Sequence, residues 1–356
     1  MTTKTARPPK KTTTTKRAGR IQKTTPQKRA SASKKTCTAK RATLRQKTKA
    51  AKRATPLKKT TPPKRLSDLS HLRAMMRALV RGMYDEQKLR IQMGLRIVAN
   101  FKVKRGQMPS TKEDTLNRES KAMLDTLRAD NKRLTDALAK DKRHREPYSG
   151  CELIGSATEA GLVAAYLRIE SMEKAAEKSI GKALREFPIY VEFLKGVCGV
   201  GPLMAGVIIS EIDIFIARYP SSLWAYAGVD VAANGAGRSR KKEHLVEREY
   251  KAKDGTMKTR VGITFNPFLK TKLTGVLAAS FLKAKSPYAD IYYEHKTCLE
   301  NHTKHKEKTK GHRHNMAMRY MIKRFLVDLY VAWKTLEGLP VSEEYSVAKL
   351  GRVHGG

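Results

Sequence analysis

Apolar residues recur every three or four positions from Ser67 to about Phe187, against a background of charged side chains. This spacing is typical of amphipathic helices. The first predicted helix is marked by Leu69, Leu72, Met76, Leu79 and Met83. A later helix is predicted through Glu159–Glu186, because Pro188 falls just after it, where helices commonly stop. We therefore expect residues 67–187 to form a charged helical region.

A heptad-like pattern lies between Thr115 and Glu146, with Asn131 at a core position. Its apolar positions are Leu124, Leu127, Leu134 and Leu138. About two heptads match, fewer than the three or four that identify a coiled coil firmly. Two interpretations stay open: a short coiled coil that joins copies of the chain into a homo-oligomer, or a helix packed on its own domain.

From Pro188 the sequence becomes richer in glycine, aromatic residues and long apolar runs, which predicts a compact domain over residues 188–339. Residues Glu243–Phe265 alternate like two strands around a turn at Lys253–Thr256, so a β-hairpin insertion is expected. A last helix, Asn315–Leu336, carries an apolar stripe that predicts core packing. The expected fold is mainly α, with residues 340–356 as a C-terminal extension.

The charge of the chain is strongly positive and unevenly distributed. There are 74 Lys and Arg against 33 Asp and Glu, a formal charge of +41, and residues 1–66 hold 23 of these cations with no acid and no aromatic residue. Such a segment cannot bury enough apolar surface to fold, so we expect a disordered tail. It would bind a polyanion by releasing counterions. The alternative is a solubilising tether.

Other features of the composition restrict the setting of the protein. The cysteines Cys37, Cys151, Cys198 and Cys298 are far apart and form no CxxC pair, which argues against a disulfide framework or a zinc ribbon. No apolar run approaches the ~20 residues of a membrane span. These observations predict a cytoplasmic, nucleoid-associated protein with a nucleic-acid partner and no membrane partner.

The segment Phe193–Ile212 predicts a helix, a glycine-rich turn and a second helix that begins at Pro202. This order is a helix-hairpin-helix signature. Glycines in the turn let the backbone approach a phosphate, and the start of the second helix supplies free N–H groups. The candidate nucleic-acid contacts here are Lys195, Gly196, Gly199 and Gly201. A purely structural helix corner is the alternative.

An ordered series of segments resembles the C-terminal domain of bacterial insertion-sequence transposases that are related to pilin-gene invertases and use bridge RNAs. The segments are the glycine hairpin, Arg218–Val229, a basic glycine-rich stretch, Asn266–Lys270 and Lys310–Lys323. The resemblance covers about Pro188–Leu339. It implies a DNA partner, a structured guide RNA, and strand cleavage that uses Mg²⁺ and a covalent serine link.

This sequence departs from the family at two places. The region that should hold the family's RuvC-like half, with its four metal-binding acids, is the basic tail and charged helices, so Mg²⁺ is expected only with a catalytic partner. At the expected serine, next to Gly237, the chain has Ala236. The candidate nucleophile is therefore Ser239, whose neighbours Arg238 and Arg240 suit phosphate contact. A serine that only touches the backbone of DNA is the alternative.

The basic loop continues through Lys241 and Lys242, which complete the set of candidate nucleic-acid contacts. A row of possible zinc ligands also lies near the C-terminus, at His295, Cys298, His302, His305, His312 and His314. Interspersed lysines would repel a dication, so no metal site is expected. The predicted function is DNA binding of the transposase type, in transposition or recombination. The alternative is a non-enzymatic nucleoid or architectural protein.

Overall fold

The computed structural model describes residues 66–108, 115–139 and 149–343. The fold is mainly α, as predicted. The helices are α1 (Leu66–Lys104), α2 (Arg118–Leu138), α3 (Ala157–Ala183), α4 (Pro188–Glu192), α5 (Pro202–Glu211), α6 (Pro220–Ala227), α7 (Pro267–Thr271), α8 (Ala278–Lys283), α9 (Pro287–Asn301), α10 (Thr303–Lys306) and α11 (Lys310–Leu336). Short 3₁₀ turns lie at Leu184–Glu186, Leu194–Gly196 and Lys242–His244, and a π-helical turn, Lys272–Leu277, joins α7 to α8.

Some predictions fall outside the described residues. They are the disorder of the tail, the end of the heptad-like segment and most of the C-terminal extension. In the described part of the chain, no helix combines the length and apolar character that crossing a membrane requires.

Proline and polar caps set the starts of the helices. Pro202, Pro220, Pro267 and Pro287 each occupy the first turn of a helix, where the missing N–H needs no partner. The side chain of Asn266 accepts hydrogen bonds from the next free N–H groups, those of Phe268 and Leu269, at 3.1 Å each. A helix therefore opens directly after Asn266.

The main core crosses the boundary predicted at residue 187. Val80 of α1 and Ile180 of α3 are buried together with α5 and α11. Gly206 allows α5 to pack closely against α1 and α3, because a Cβ there would lie 3.0 Å from Ile180 and 3.1 Å from Val80. The predicted stripe on α11 is confirmed as core packing, since Met318, Met321, Ile322, Phe325, Leu326, Leu329 and Trp333 are all buried.

A second, smaller core lies where α2 packs between α1 and α3. Phe101, Leu127 and Tyr166 are buried in it, and Leu124 lies beside them. Leu138, at the end of the heptad-like series, is 78% exposed. In this chain α2 is a helix packed on its own domain.

The predicted β-hairpin is confirmed. Strands β1 (Val246–Lys251) and β2 (Met257–Gly262) pair antiparallel, with Val246 opposite Gly262 and Arg248 opposite Arg260. Gly255 turns the chain with a φ of 81°. Nearly every residue of both strands is exposed, so the hairpin extends from the helical body as a solvated arm.

Candidate nucleic-acid interface

Ser239 lies on a loop that leaves α6 and folds back on itself. α6 ends at Gly228, whose φ of 64° is left-handed. Val231 and Gly237 then form an isolated bridge, and the N–H of Ala232 donates to the carbonyl of Ala236 at 2.8 Å. This reversal brings the end of the loop against the 3₁₀ turn Lys242–His244.

There, Ser239 meets a buried histidine. The Oγ of Ser239 is 2.8 Å from Nδ1 of His244, and the backbone N–H of Ser239 donates to the same nitrogen at 3.0 Å. His244 is 4% exposed, whereas Ser239 remains partly accessible. Because Nδ1 accepts the backbone N–H, the proton of the neutral imidazole is on Nε2.

The Asn234 amide holds the opposite edge of that imidazole. Its Nδ2 donates to Glu243 at 3.0 Å, and its Oδ1 accepts the N–H of Ala236 at 3.0 Å, which together determine how the amide is turned. Both ends of the amide lie against Nε2 of His244, Nδ2 at 3.0 Å and Oδ1 at 3.3 Å, and a proton on Nε2 has Oδ1 as its acceptor. Serine, histidine and asparagine thus form one chain of contacts.

Arg238, a predicted phosphate contact, is held by a local partner. Its Nε donates to Oδ1 of Asp230 at 2.9 Å, its Nη2 lies 2.8 Å from Oδ2, and its Nη1 donates to Thr264 at 3.2 Å. Bidentate pairs of this kind hold both side chains in one geometry. Arg238 therefore shapes the loop, and its charge is largely balanced by Asp230.

Lys270 of α7 brings a second cation to the loop. Its ammonium donates to the carbonyl of Arg238 and lies 4.5 Å from the centre of the Phe265 ring. Burial and the nearby charge of Arg319 lower the pKa of Lys270 to about 8. A neighbouring anion would therefore stabilise the charged form of Lys270.

Arg319 of α11 reaches the same loop through Gly237. A Cβ at position 237 would lie 1.2 Å from Nη1 of Arg319, so the guanidinium occupies the space that any side chain would need. Burial lowers the pKa of Arg319, while Asp230 acts in the opposite direction. We call the set formed by Asn234, Ser239, His244, Lys270 and Arg319 the serine cluster.

An open groove with a cavity volume of about 710 Å³ lies beside the serine cluster, between α1 and α7. Arg240 is one of its lining residues. Elsewhere the groove combines cations with aromatic rings: the Nζ of Lys272 is 3.4 Å from the centre of the Tyr84 ring, and Arg81 lies 3.7 Å from that of Phe268. Cations beside aromatic rings are the surface that nucleic-acid strands favour.

A buried carboxylate holds the two walls of this groove together. Glu211, at the end of α5, accepts hydrogen bonds from Arg81 of α1 at 2.7 Å and from Asn266 at 2.6 Å. Its side chain is fully buried. Glu211 therefore connects α1 to the start of α7 through the core.

The glycine hairpin has a short first arm, made of α4 and the 3₁₀ turn Leu194–Gly196. Gly199 has a φ of 96°, and a Cβ there would lie 2.8 Å from Phe281. This close packing explains why the position is glycine. Lys195, Gly196 and Gly201 are exposed. Tyr84 lines both the groove and a smaller cavity at Gly199 and Gly201, so hairpin and groove adjoin.

The serine cluster joins one predicted catalytic residue to others that sequence reasoning had not selected. His244, Asn234, Lys270 and Arg319 were not among the predicted site residues. Two of these lay inside segments that carry the family resemblance, Lys270 in Asn266–Lys270 and Arg319 in Lys310–Lys323. The predicted contacts Lys241 and Lys242 are exposed at the 3₁₀ turn next to the cluster.

The histidine-rich segment makes contacts of other kinds. His295 stacks on Tyr320 with ring centres 4.1 Å apart, and the hydroxyl of Tyr292 is 2.6 Å from Nδ1 of His314. Among the residues that the structure describes, no three His, Cys, Asp or Glu side chains form a group able to hold a metal ion.

Comparison of the chain with family models, curated proteins and solved structures gives no match.

Proposed function

We propose that this chain is a DNA-binding protein of the transposase type, acting in DNA transposition or recombination. The observation that carries the proposal is the convergence of Arg240, Lys270 and Arg319 on the loop of Ser239, where Asp230 is already engaged by Arg238. A phosphodiester would supply the missing negative charge. Such contacts fix a protein on the DNA backbone without reading its sequence.

The groove and the glycine hairpin extend this basic surface. Gly199 and Gly201 adjoin the groove through Tyr84, Lys195 and Gly196 are exposed in the same hairpin, and Arg240 joins the groove to the serine cluster. In the proposed function, the hairpin acts as a helix-hairpin-helix grip. A backbone that followed this path would meet cations and free N–H groups before it reached Ser239.

Arg319→Ala should lower the affinity for duplex DNA about tenfold, the effect of losing one charge-assisted hydrogen bond. Gly237→Ala should lower it by a similar factor, because the new methyl group takes the place of the guanidinium. The double variant should bind no more weakly than either single variant. Affinity is measured by fluorescence anisotropy on a labelled duplex at constant salt.

Lys178→Ala is the matched control for this cycle, because it removes one exposed positive charge from α3. It should change affinity by less than about twofold, the usual effect of one distant, screened charge. Equal losses for Arg319→Ala and Lys178→Ala would refute a phosphate site at the serine cluster. Parallel titrations with structured RNA test whether the same surface prefers a guide RNA.

The affinity for DNA should also fall as pH rises above about 8. Lys270 has a pKa lowered to about 8, so its ammonium is charged below that pH and neutral above it. A bound phosphate favours the charged form and raises its pKa, so binding is linked to proton uptake. Lys270→Arg, which stays charged, should bind equally at pH 7 and pH 9. A wild-type affinity that is flat across this range would contradict the prediction.

A further inference from the structure

The contact between Ser239 and His244 has the geometry of a nucleophile and its base. The hydroxyl oxygen is 2.8 Å from Nδ1, within the distance at which a proton passes directly between the two atoms. The ring cannot turn away, because it is buried and Asn234 holds its far edge. A serine, a histidine and a polar group that orients the histidine recur in unrelated enzymes that use serine as a nucleophile.

We infer that His244 is the general base that activates Ser239 for attack on a phosphodiester, with Asn234 as the residue that positions its ring. The inference rests on the proposed function, because it names the chemistry of the same site. It adds a partner to a serine that would otherwise be a weak nucleophile at neutral pH.

The step balances without an oxidant or a reductant. The Oγ of Ser239 forms a bond to phosphorus, the bond from phosphorus to one sugar oxygen breaks, and the hydroxyl proton passes to Nδ1 of His244. The leaving sugar oxygen takes a proton from water. One phosphodiester is exchanged for another, so the link between protein and DNA conserves the energy of the broken strand.

The rest of the serine cluster suits this step. Arg319 and Lys270 bring positive charge to the loop, and charge on the phosphoryl oxygens grows as the new bond forms. Fixed cations that face such oxygens are a large part of catalysis in phosphoryl transfer. When His244 takes the proton at Nδ1, that nitrogen releases the backbone N–H of Ser239, while Nε2–H keeps Oδ1 of Asn234 as its acceptor.

The test uses the full chain and bis(4-nitrophenyl) phosphate, an activated phosphodiester that needs no target sequence and no protonation of its leaving group. We expect a burst of 4-nitrophenolate equal to the protein concentration, with the phosphoryl adduct located on Ser239 by mass spectrometry. Ser239→Ala should give no burst. His244→Asn, which keeps an acceptor for the Ser239 N–H but no base, should slow the burst by roughly 10²–10⁴-fold.

Rescue experiments separate chemistry from packing. Imidazole added to His244→Gly should restore part of the burst, which it would not do if His244 only filled space. Asn234→Ala should slow the burst. Asn234→Asp should keep the wild-type burst rate, because a carboxylate also accepts the Nε2 proton. Ser179→Ala is the matched serine control and should leave the burst unchanged, since Ser179 lies on α3 and donates to the carbonyl of Ala175.

DNA binding by the same preparations distinguishes this inference from the proposed function. A wild type that binds DNA but gives no adduct on Ser239, or an adduct that forms equally fast in His244→Asn, would overturn the base assignment alone. A histidine-dependent adduct without DNA binding would support the base and reject the proposed function.

Discussion

A variant that lacks residues 1–66 should bind duplex DNA at least about 10³-fold more weakly than the full chain at 50 mM salt. The tail carries 23 Lys and Arg and no acid, against a charge of +18 for all remaining residues. Each phosphate contact that is lost should lower the slope of log affinity against log salt by about 0.9. The measurement is a series of binding titrations between 50 and about 300 mM salt, the range over which counterion release dominates.

The matched control is a chain of full length in which the Lys and Arg of residues 1–66 are replaced by Gln. It keeps the tether and removes the charge, so it should lose as much affinity and slope as the deletion. If the deletion leaves the slope unchanged, the tail is a tether and contributes no phosphate contacts. If the deletion weakens DNA binding and the Gln-substituted chain does not, the affinity depends on the length of the tail and not on its charge.

Gly228→Ala should reduce the free energy of unfolding by about 3 kcal/mol, from left-handed backbone strain together with overpacking. Gly228 has a φ of 64°, and a Cβ there would lie 2.6 Å from two ring atoms of Phe265. Phe265 is 7% exposed and cannot move aside without disturbing the core. Urea unfolding followed by circular dichroism measures the change.

Gly235→Ala is the control for backbone strain alone. Gly235 has a φ of 75°, and a Cβ there would meet no atom within 4 Å. We expect a loss of about 1 kcal/mol, the cost of the left-handed conformation for a residue with a Cβ. Equal losses for the two variants would show that Phe265 yields and that contact with the ring does not require glycine at 228.

The substitution at Gly228 should also disturb the serine cluster. The Phe265 ring that the new methyl group would push lies 4.5 Å from the ammonium of Lys270. If the ring moves, the burial of the Lys270 ammonium changes. The pKa of Lys270 then changes as well, because burial is what lowers it. The pH at which DNA affinity begins to fall should therefore shift in Gly228→Ala and stay near 8 in Gly235→Ala.

Local pattern was sufficient to predict the helical class, the β-hairpin and the buried stripe of α11. These depend on residues within a few positions of one another, such as Asn266-Pro267 at a helix start or Gly255 in a turn. The same local information could not choose between a coiled coil and a packed helix for α2. That choice depends on Phe101 and Tyr166, which are distant in the chain.

The candidate site also combines residues that the sequence predicted with residues that only the fold brings together. Ser239 and its basic neighbours were predicted because they are adjacent in the chain, whereas Arg319 reaches Gly237 from the far end of the domain. His244 is only five residues from Ser239. Their contact nevertheless depends on a loop reversal and a 3₁₀ turn, which no periodic pattern in the sequence predicts.

The sequence by itself determined the charge, the helical class and the position of the serine, because these follow from composition and short-range spacing. Only the tertiary structure decided that Arg238 is balanced by Asp230, that Lys270 and Arg319 reach the loop of Ser239, and that His244 contacts Ser239 itself. The physical reason is that burial and electrostatic coupling depend on distances in space, and the folded core sets those distances.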